Sequence, residues 1–429
     1  MDTSFSREWR LHKFASQIGV GGFVLSDLEK RLVNEVLDSN RLTYGPKTKL
    51  FEREFSGRHG CRFGLYMNSG TSALQVALTA CREKFGWADG DEVIIPAVTF
   101  VATCNVVLQN NLTPVFVDVE PTTFNIDPDQ IEAAITPRTR AIMPVHLLGL
   151  PADMTAIMNI AKKHGLAVIE DSAECMFATC NGKSVGSFGD IGCFSTYAAH
   201  ILVTGVGGLA TTNDPKLATL MRSLMNHGRN NLYISCTDDA GLEGEQLEEV
   251  ILKRFSFERI GYSYRCTELE AAIGLGQLTR ADEMLARRRE IAGRFSHAFD
   301  DLQEFLQLPT CPPDRTHSWM VFGMATRGED KRRLVNHLEN LNVETRDLLP
   351  LTNQPVYKKL FGEDFEDRFP VARWVNNHGF YVGCHPYMTD EEIDFVIEAM
   401  HDFYRQERAA RKAHPRAVSM AVAKAPGPH

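Results

Sequence analysis

A doubly wound α/β domain followed by a smaller α+β domain is the architecture this sequence predicts. Three observations carry it. Short apolar runs alternate with helix-like segments through the first two thirds of the chain, the pattern of strands joined by crossover helices. Composition shifts at Pro309-Thr310-Cys311-Pro312-Pro313-Asp314, where turn formers cluster. And 429 residues, 44% hydrophobic and 24% charged, suffice for one large core plus a second, smaller one.

Taken in order, strands are predicted over 92–96, 114–119, 141–145, 167–170, 192–195 and 208–212. Helices are predicted between them over 72–85, 100–109, 127–134 and 152–164, with Asp127 and Pro151 near the starts of the last two. A charged helical run over 277–302 closes the large domain; apolar 320–324 and helices over 331–341 and 390–404 build the small one. The organisation is thus an N-terminal segment 1–24, a large domain 25–305, a small domain 306–407 and a tail 408–429. The tail is basic, then rich in alanine and proline, and is expected to be disordered. No internal repeat is present.

A net charge of −9 leaves no basic footprint for nucleic acid, so small molecules are the expected partners. The start, Met1 to Glu8, mixes charges and precedes no continuous apolar stretch, which supports neither a signal peptide nor a membrane span and places the chain in the cytosol. Ten cysteines lie scattered without metal-ligand spacing and are expected as free thiols. Cys175 and Cys180 fall five apart, a spacing better suited to packing than to a metal.

Three motifs carry chemistry. Asn68-Ser69-Gly70-Thr71-Ser72 precedes a helix, where glycine admits close approach of an anion and hydroxyls and free amides bind it. Serine and threonine at such a place also serve simply as caps. Asp171, in Ile169-Glu170-Asp171-Ser172, ends a buried strand, the side of an open α/β sheet on which ligands bind. Such a carboxylate either pairs with a protonated pyridine nitrogen or caps a loop. Phe100 either stacks on a flat cofactor or belongs to the core.

These segments occur together with Thr99-Phe100-Val101-Ala102-Thr103, Pro114-Val115-Phe116-Val117-Asp118, Pro144-Val145-His146-Leu147-Leu148-Gly149, Gly261-Tyr262-Ser263-Tyr264-Arg265 and the run Gly189 to Gly208. In that order and spacing the chain, over roughly 25–405, resembles the DegT/DnrJ/EryC1/StrS family of sugar aminotransferases. The resemblance implies a fold-type-I large domain with a mixed, mostly parallel sheet, a small C-terminal domain, pyridoxal phosphate (PLP) or pyridoxamine phosphate (PMP) as cofactor, and a homodimer with shared active sites. It assigns Ser69, Gly70, Thr71 and Ser195 to the cofactor phosphate, Phe100 to ring stacking and Asp171 to the pyridine nitrogen. Glu174 stands where the family has glutamine or histidine near the phenolic oxygen, and repels a phenolate unless one of the two carries a proton. Ser263 replaces an asparagine that reaches a neighbouring subunit's phosphate.

The departure is at His200, where the family carries its cofactor-binding lysine. A lysine amine condenses with an aldehyde; an imidazole only moves protons or hydrogen bonds. Tyr197-Ala198-Ala199-His200 is similar to the family's PMP-dependent sugar 3-dehydratases, which use histidine as the base, although Val206 replaces a glutamate common in that branch. An ordinary imidazole pKa of about 6.5 suits the task. The expected reaction is therefore 3-dehydration of a keto-deoxysugar, nucleotide-linked, with glutamate regenerating PMP. The alternatives are an aminotransferase with an atypical base and an inactive scaffold for an active relative.

Some of these dehydratases bind an iron–sulfur cluster, partly through cysteines in an insertion. Here the insertion 230–255 holds only Cys236, so no cluster is expected. Its acidic run reads as a lid or a solvated helix. His146 and His227 lie in family-like segments. Arg346 and Arg265 face two readings, a substrate phosphate or a salt bridge that locks the domains together.

Overall fold

The computed structural model describes residues 11–230, 241–253, 255–328 and 330–413. Seven strands form the large sheet: β1 (Phe63–Met67), β2 (Glu92–Pro96), β3 (Thr113–Val117), β4 (Thr139–Ile142), β5 (Ala167–Asp171), β8 (Ile191–Ser195) and β9 (Gly208–Thr212). Two short strands, β6 (Thr179–Cys180) and β7 (Lys183–Ser184), pair as a hairpin between β5 and β8. The spatial order is β1-β9-β8-β5-β4-β2-β3. All neighbours are parallel except β9, which runs antiparallel to both β1 and β8.

Strand β2 shows why the sheet is covered twice. Val93, Ile94 and Ile95 are all fully buried, and the period of two sends them to opposite faces. Val93 and Ile95 join a cluster with Leu74, Ala77 and Leu78 of the helix Gly70–Phe85. Ile94 joins Ile131 of the helix Pro128–Ala134 and Ile157 of the helix Met154–His164. Each such side chain contributes about 1.5–3 kcal/mol when fully buried. Asp127 caps its helix as read from sequence; the next helix is capped by Asp153, two residues beyond Pro151.

The charged run 277–302 is not one helix. It divides at Arg280 into the end of Glu268–Thr279 and the helix Ala281–Ala298, then a single 3-10 turn, Asp300–Leu302. Beyond it, β10 (Leu306–Gln307), β11 (Val321–Thr326), β12 (Thr345–Asp347) and β13 (Gly379–Gly383) make a second, antiparallel sheet in the order β10-β11-β13-β12. Phe322, Phe380 and Val382 pack there against Leu334, Val396 and Phe295 from three helices. The N-terminal segment belongs to this layer: Ile18 shares its core and pairs with Val343, and the Val20 N–H donates to Glu344 at 2.8 Å.

The last helix, Asp390–Ala413, passes the point where the sequence places a disordered tail. Arg408 holds it, donating to Glu304 at 2.8 Å and to the Asp301 carbonyl at 2.9 Å. The remainder of that tail, 414–429, lies outside the described residues, as do 231–240 and hence Cys236. The described part of the insertion contains the helix Gly244–Lys253, with Val250 buried and Leu252 83% exposed, so its outer face is not purely solvated charge.

Candidate active site

A cavity of about 420 Å³ opens at the carboxyl ends of β5 and β8, the place where an open α/β sheet leaves room for a ligand. It gathers Ser69, Gly70, Thr71, Phe100, Asp171, Glu174, Ser195 and His200 from segments far apart in the sequence.

Ser69 both caps and lines. Its Oγ accepts from the Ser72 N–H at 3.0 Å, which leaves the amides of the first helical turn directed at the cavity floor. Gly70 is required by space: a Cβ there would lie 2.8 Å from the Cβ of Ser195. Gly208 is under the same constraint, since its Cβ would meet the Ser69 carbonyl oxygen at 2.3 Å. Two chain segments thus close to backbone contact and make a concave bed lined by the hydroxyls of Ser69, Thr71 and Ser195.

Phe100 is 58% exposed, which excludes a core role and leaves a ring face open on the cavity. Asp171 ends β5 and is buried. Its Oδ2 accepts from the Thr103 hydroxyl at 2.8 Å and its Oδ1 from the Ala173 N–H at 3.2 Å. Burial pushes its pKa up, against those two bonds and the nearby His146. Glu174 is buried beside it, with Oε2 accepting from the Leu148 N–H at 2.7 Å. Burial, helped by the Asp171 charge, raises its pKa to about 7 despite the Leu148 bond.

His200 sits in the loop between β8 and β9, half-buried in the cavity wall. Its Nδ1 lies 3.2 Å from the Ser195 carbonyl oxygen. A carbonyl only accepts, so Nδ1 carries the proton and Nε2 of the neutral ring is left with a free lone pair. Burial lowers the imidazole pKa to about 4, against the Ser195 bond and with help from Arg288. The ring is therefore an unprotonated base at neutral pH. Among the described residues no lysine lines the cavity.

Ser263, His227 and Arg346 do not line this cavity. Ser263 and His227 form a separate exposed cluster on Arg265, whose Nη2 lies 3.0 Å from each. Burial, then the Arg265 and Arg229 charges, lower the His227 pKa. Arg346 pairs with Glu344, two residues away on its own segment, so this pair does not lock one domain to the other. Arg346 remains half exposed beside Tyr381, its register partner across β12 and β13, and Tyr381 does line the cavity. Burial and Glu174 push the Tyr381 phenol up to about 12, against the pull of Arg346. His146 is buried away from the ligand side: Nδ1 accepts from the Ala152 N–H, so Nε2 donates to Glu170 at 3.1 Å.

Thr103 and Tyr381 are site residues that sequence reasoning missed. Thr103 had a signal, since Thr99 and Thr103 stand one helical turn apart around Phe100 and their hydroxyls meet at 2.7 Å. Tyr381 had none, because only tertiary folding brings β13 to the cavity. Among the described residues no group of three or more His, Cys, Asp or Glu is placed to hold a metal ion, and no helix is long and apolar enough to cross a membrane.

An anion bed, an acid at a strand end and an open aromatic face on this mixed sheet define a pyridoxal phosphate-dependent type of enzyme. The chain belongs to the DegT/DnrJ/EryC1/StrS aminotransferase family, whose sequence profile matches residues 25–401. It is 36% identical to GDP-perosamine synthase of Caulobacter vibrioides, over 90% of this chain and 97% of that protein. It is 34% identical to dTDP-4-dehydro-2,6-dideoxy-D-glucose 3-dehydratase of Saccharopolyspora spinosa, over 91% of this chain and 87% of that one. Among solved structures, E. coli GDP-4-keto-6-deoxy-D-mannose-3-dehydratase with bound hydrated PLP superposes with a TM-score of 0.79 at 27% identity, covering 90% of this chain and 99% of that one. The protein is thus a sugar-modifying enzyme of the PLP-dependent class.

Proposed function

We propose that this enzyme removes the 3-hydroxyl of a nucleotide-linked keto-deoxysugar, with PMP as cofactor, glutamate as the amino donor that regenerates it, and His200 as acid/base. The observation that carries the reading is the His200 geometry: Nδ1 committed to the Ser195 carbonyl, Nε2 unprotonated, and no lysine among the described residues lining the cavity.

The residues present fit the cofactor. The bed from Ser69 to Thr71 with Ser195 suits a phosphate, the face of Phe100 suits a ring, and Asp171 suits a ring nitrogen that must stay protonated. When bound, PMP supplies an amine and an electron-accepting ring. Thr103 and the Ala173 N–H hold Asp171 in its charged form against burial. Glu174, poised near pH 7, offers either a proton or a lone pair to a neighbouring oxygen. His200 takes and returns a proton at Nε2. Phe100, Tyr197 and Val206, each at least half exposed at the cavity rim, and the exposed Ser263, Arg265 and His227 are the surfaces a second copy would cover in a cytosolic homodimer with shared sites. Arg346 and His227 are the proposed contacts for substrate anions.

Purified protein incubated with PMP, glutamate and nucleotide 4-keto-6-deoxysugars tests this reading by NMR and mass spectrometry of the sugar. Loss of water from carbon 3 is the expected result. Formation of a 4-amino sugar with the 3-hydroxyl retained would establish the aminotransferase reading, which the GDP-perosamine synthase likeness favours.

A further inference from the structure

Arg288, on the helix Ala281–Ala298, is 2% exposed, and among the described residues no carboxylate pairs with it. Burying a guanidinium is costly, and hydrogen bonds to its donors offset that cost. Here carbonyls fill those of Nη1 and Nη2, and Nε alone is left without a partner among the described residues. Nη1 donates to Trp319 at 3.1 Å, Met320 at 2.8 Å and Cys384 at 2.9 Å, and Nη2 donates to the His200 carbonyl at 3.3 Å. In return the Cys384 thiol donates to the Arg288 carbonyl at 3.4 Å. One side chain therefore ties the loop that carries His200 to two separate stretches of the small domain.

The Trp319–Met320 stretch is itself constrained. Trp319 has φ +51°, a left-handed conformation uncommon for so bulky a residue, and its ring stacks on His317 at 3.7 Å. Met320 lines the cavity, and its N–H donates to the Leu148 carbonyl at 3.1 Å. The Leu148 N–H donates to Glu174. A continuous hydrogen-bonded chain thus runs from Glu174 through the Leu148 and Met320 peptides and Arg288 to the His200 peptide.

We infer that Arg288 is the positioning residue for His200: its fork of donors locks the His200 peptide to the small domain and sets the imidazole at a fixed place relative to Glu174. The inference rests on the proposed role of His200 as acid/base. Lysine cannot replace the fork, because its donors share one atom and cannot reach carbonyls on both sides at once. The Arg288 charge bears on His200 and on His385 alike, lowering both, while Asp171, Glu174, Tyr197 and Tyr381 are the other titratable groups of the cavity.

The test uses full-length Arg288→Lys and Arg288→Met with 15N-labelled histidine, the His200 signal being assigned by its loss in His200→Asn. In the parent, NMR should show His200 as the Nδ1–H tautomer with a titration well below the ordinary range. In both variants the tautomers should mix, and turnover should fall about 10- to 100-fold with KM little changed, the penalty of a displaced reacting group. If Arg288→Met does not fold, Arg288→Lys carries the test alone. A folded Arg288→Lys with the parent's His200 tautomer and turnover would overturn the inference. If the parent fails to dehydrate any sugar while the variants still change the tautomer, the functional reading fails and the positioning role stands.

Discussion

Glu174→Gln should stabilise the protein without added cofactor, and the gain should grow with pH. The carboxyl is buried, and folding moves its pKa from 4.5 to about 7. Because folding raises the value, the cost of ionising Glu174 is absent below the unfolded pKa and complete above the folded one. At pH 8 that cost is about 3 kcal/mol, and at pH 5 about 1 kcal/mol. Glutamine keeps an acceptor for the Leu148 N–H and removes the charge. For 429 residues, an unfolding entropy of about 2 cal/mol/K per residue converts these values into Tm increases of about 3–4 °C at pH 8 and about 1 °C at pH 5. Thermal unfolding followed by circular dichroism at the two pH values gives the comparison. Equal shifts at pH 5 and pH 8 would refute the assignment of a raised, buried carboxyl.

Further outcomes follow from the same geometry. His200→Asn should lower sugar turnover by about 10²- to 10⁴-fold, the usual weight of a general acid/base, with PMP retained on gel filtration. His200→Lys should create a visible absorbance band when PLP is added, which spectrophotometry reads directly. Thr103→Val removes the hydroxyl bond to Asp171 and should weaken PLP binding about tenfold in a fluorescence titration. Glu170→Gln should cost about 3 kcal/mol, seen as a Tm drop of about 3 °C, because the Gly186, Phe188 and Gly189 amides and His146 all donate to that buried carboxylate.

The parallel strands were legible because each contains a short apolar run: β2, built around Val93, Ile94 and Ile95, begins and ends where its pattern does. β1 is absent from the predicted strands, its strand character depending on pairing with β9 far along the chain. The small sheet was harder, since β10 and β12 are two and three residues long and carry no period to detect. Within the cavity, local chemistry singled out the Ser69 turn, Phe100 and Asp171, each beside a capping or core alternative, and the family resemblance added Ser195, Glu174 and His200. Tyr381 and Arg288 were not legible, because their partners are held by backbone contacts between elements that no spacing rule links. Ser263, His227 and Arg346 show the converse: their local segments carry the motif, yet they fold outside the cavity within one chain.

The loop from Ser195 to Gly208 is closed mainly by bonds that do not involve the side chain at its centre. Thr196 and Thr204 bond each other at 2.6 Å, Gly205 and Gly207 bridge back to Tyr197 and Ser69, and the hydrogen bond of the His200 ring goes to a backbone carbonyl. The Thr196–Thr204 bond and the glycine bridges do not depend on which side chain stands at 200. A change of side chain there alters what the cavity can do chemically while the bonds that close the loop stay in place, so the frame and the reactive group can be varied separately.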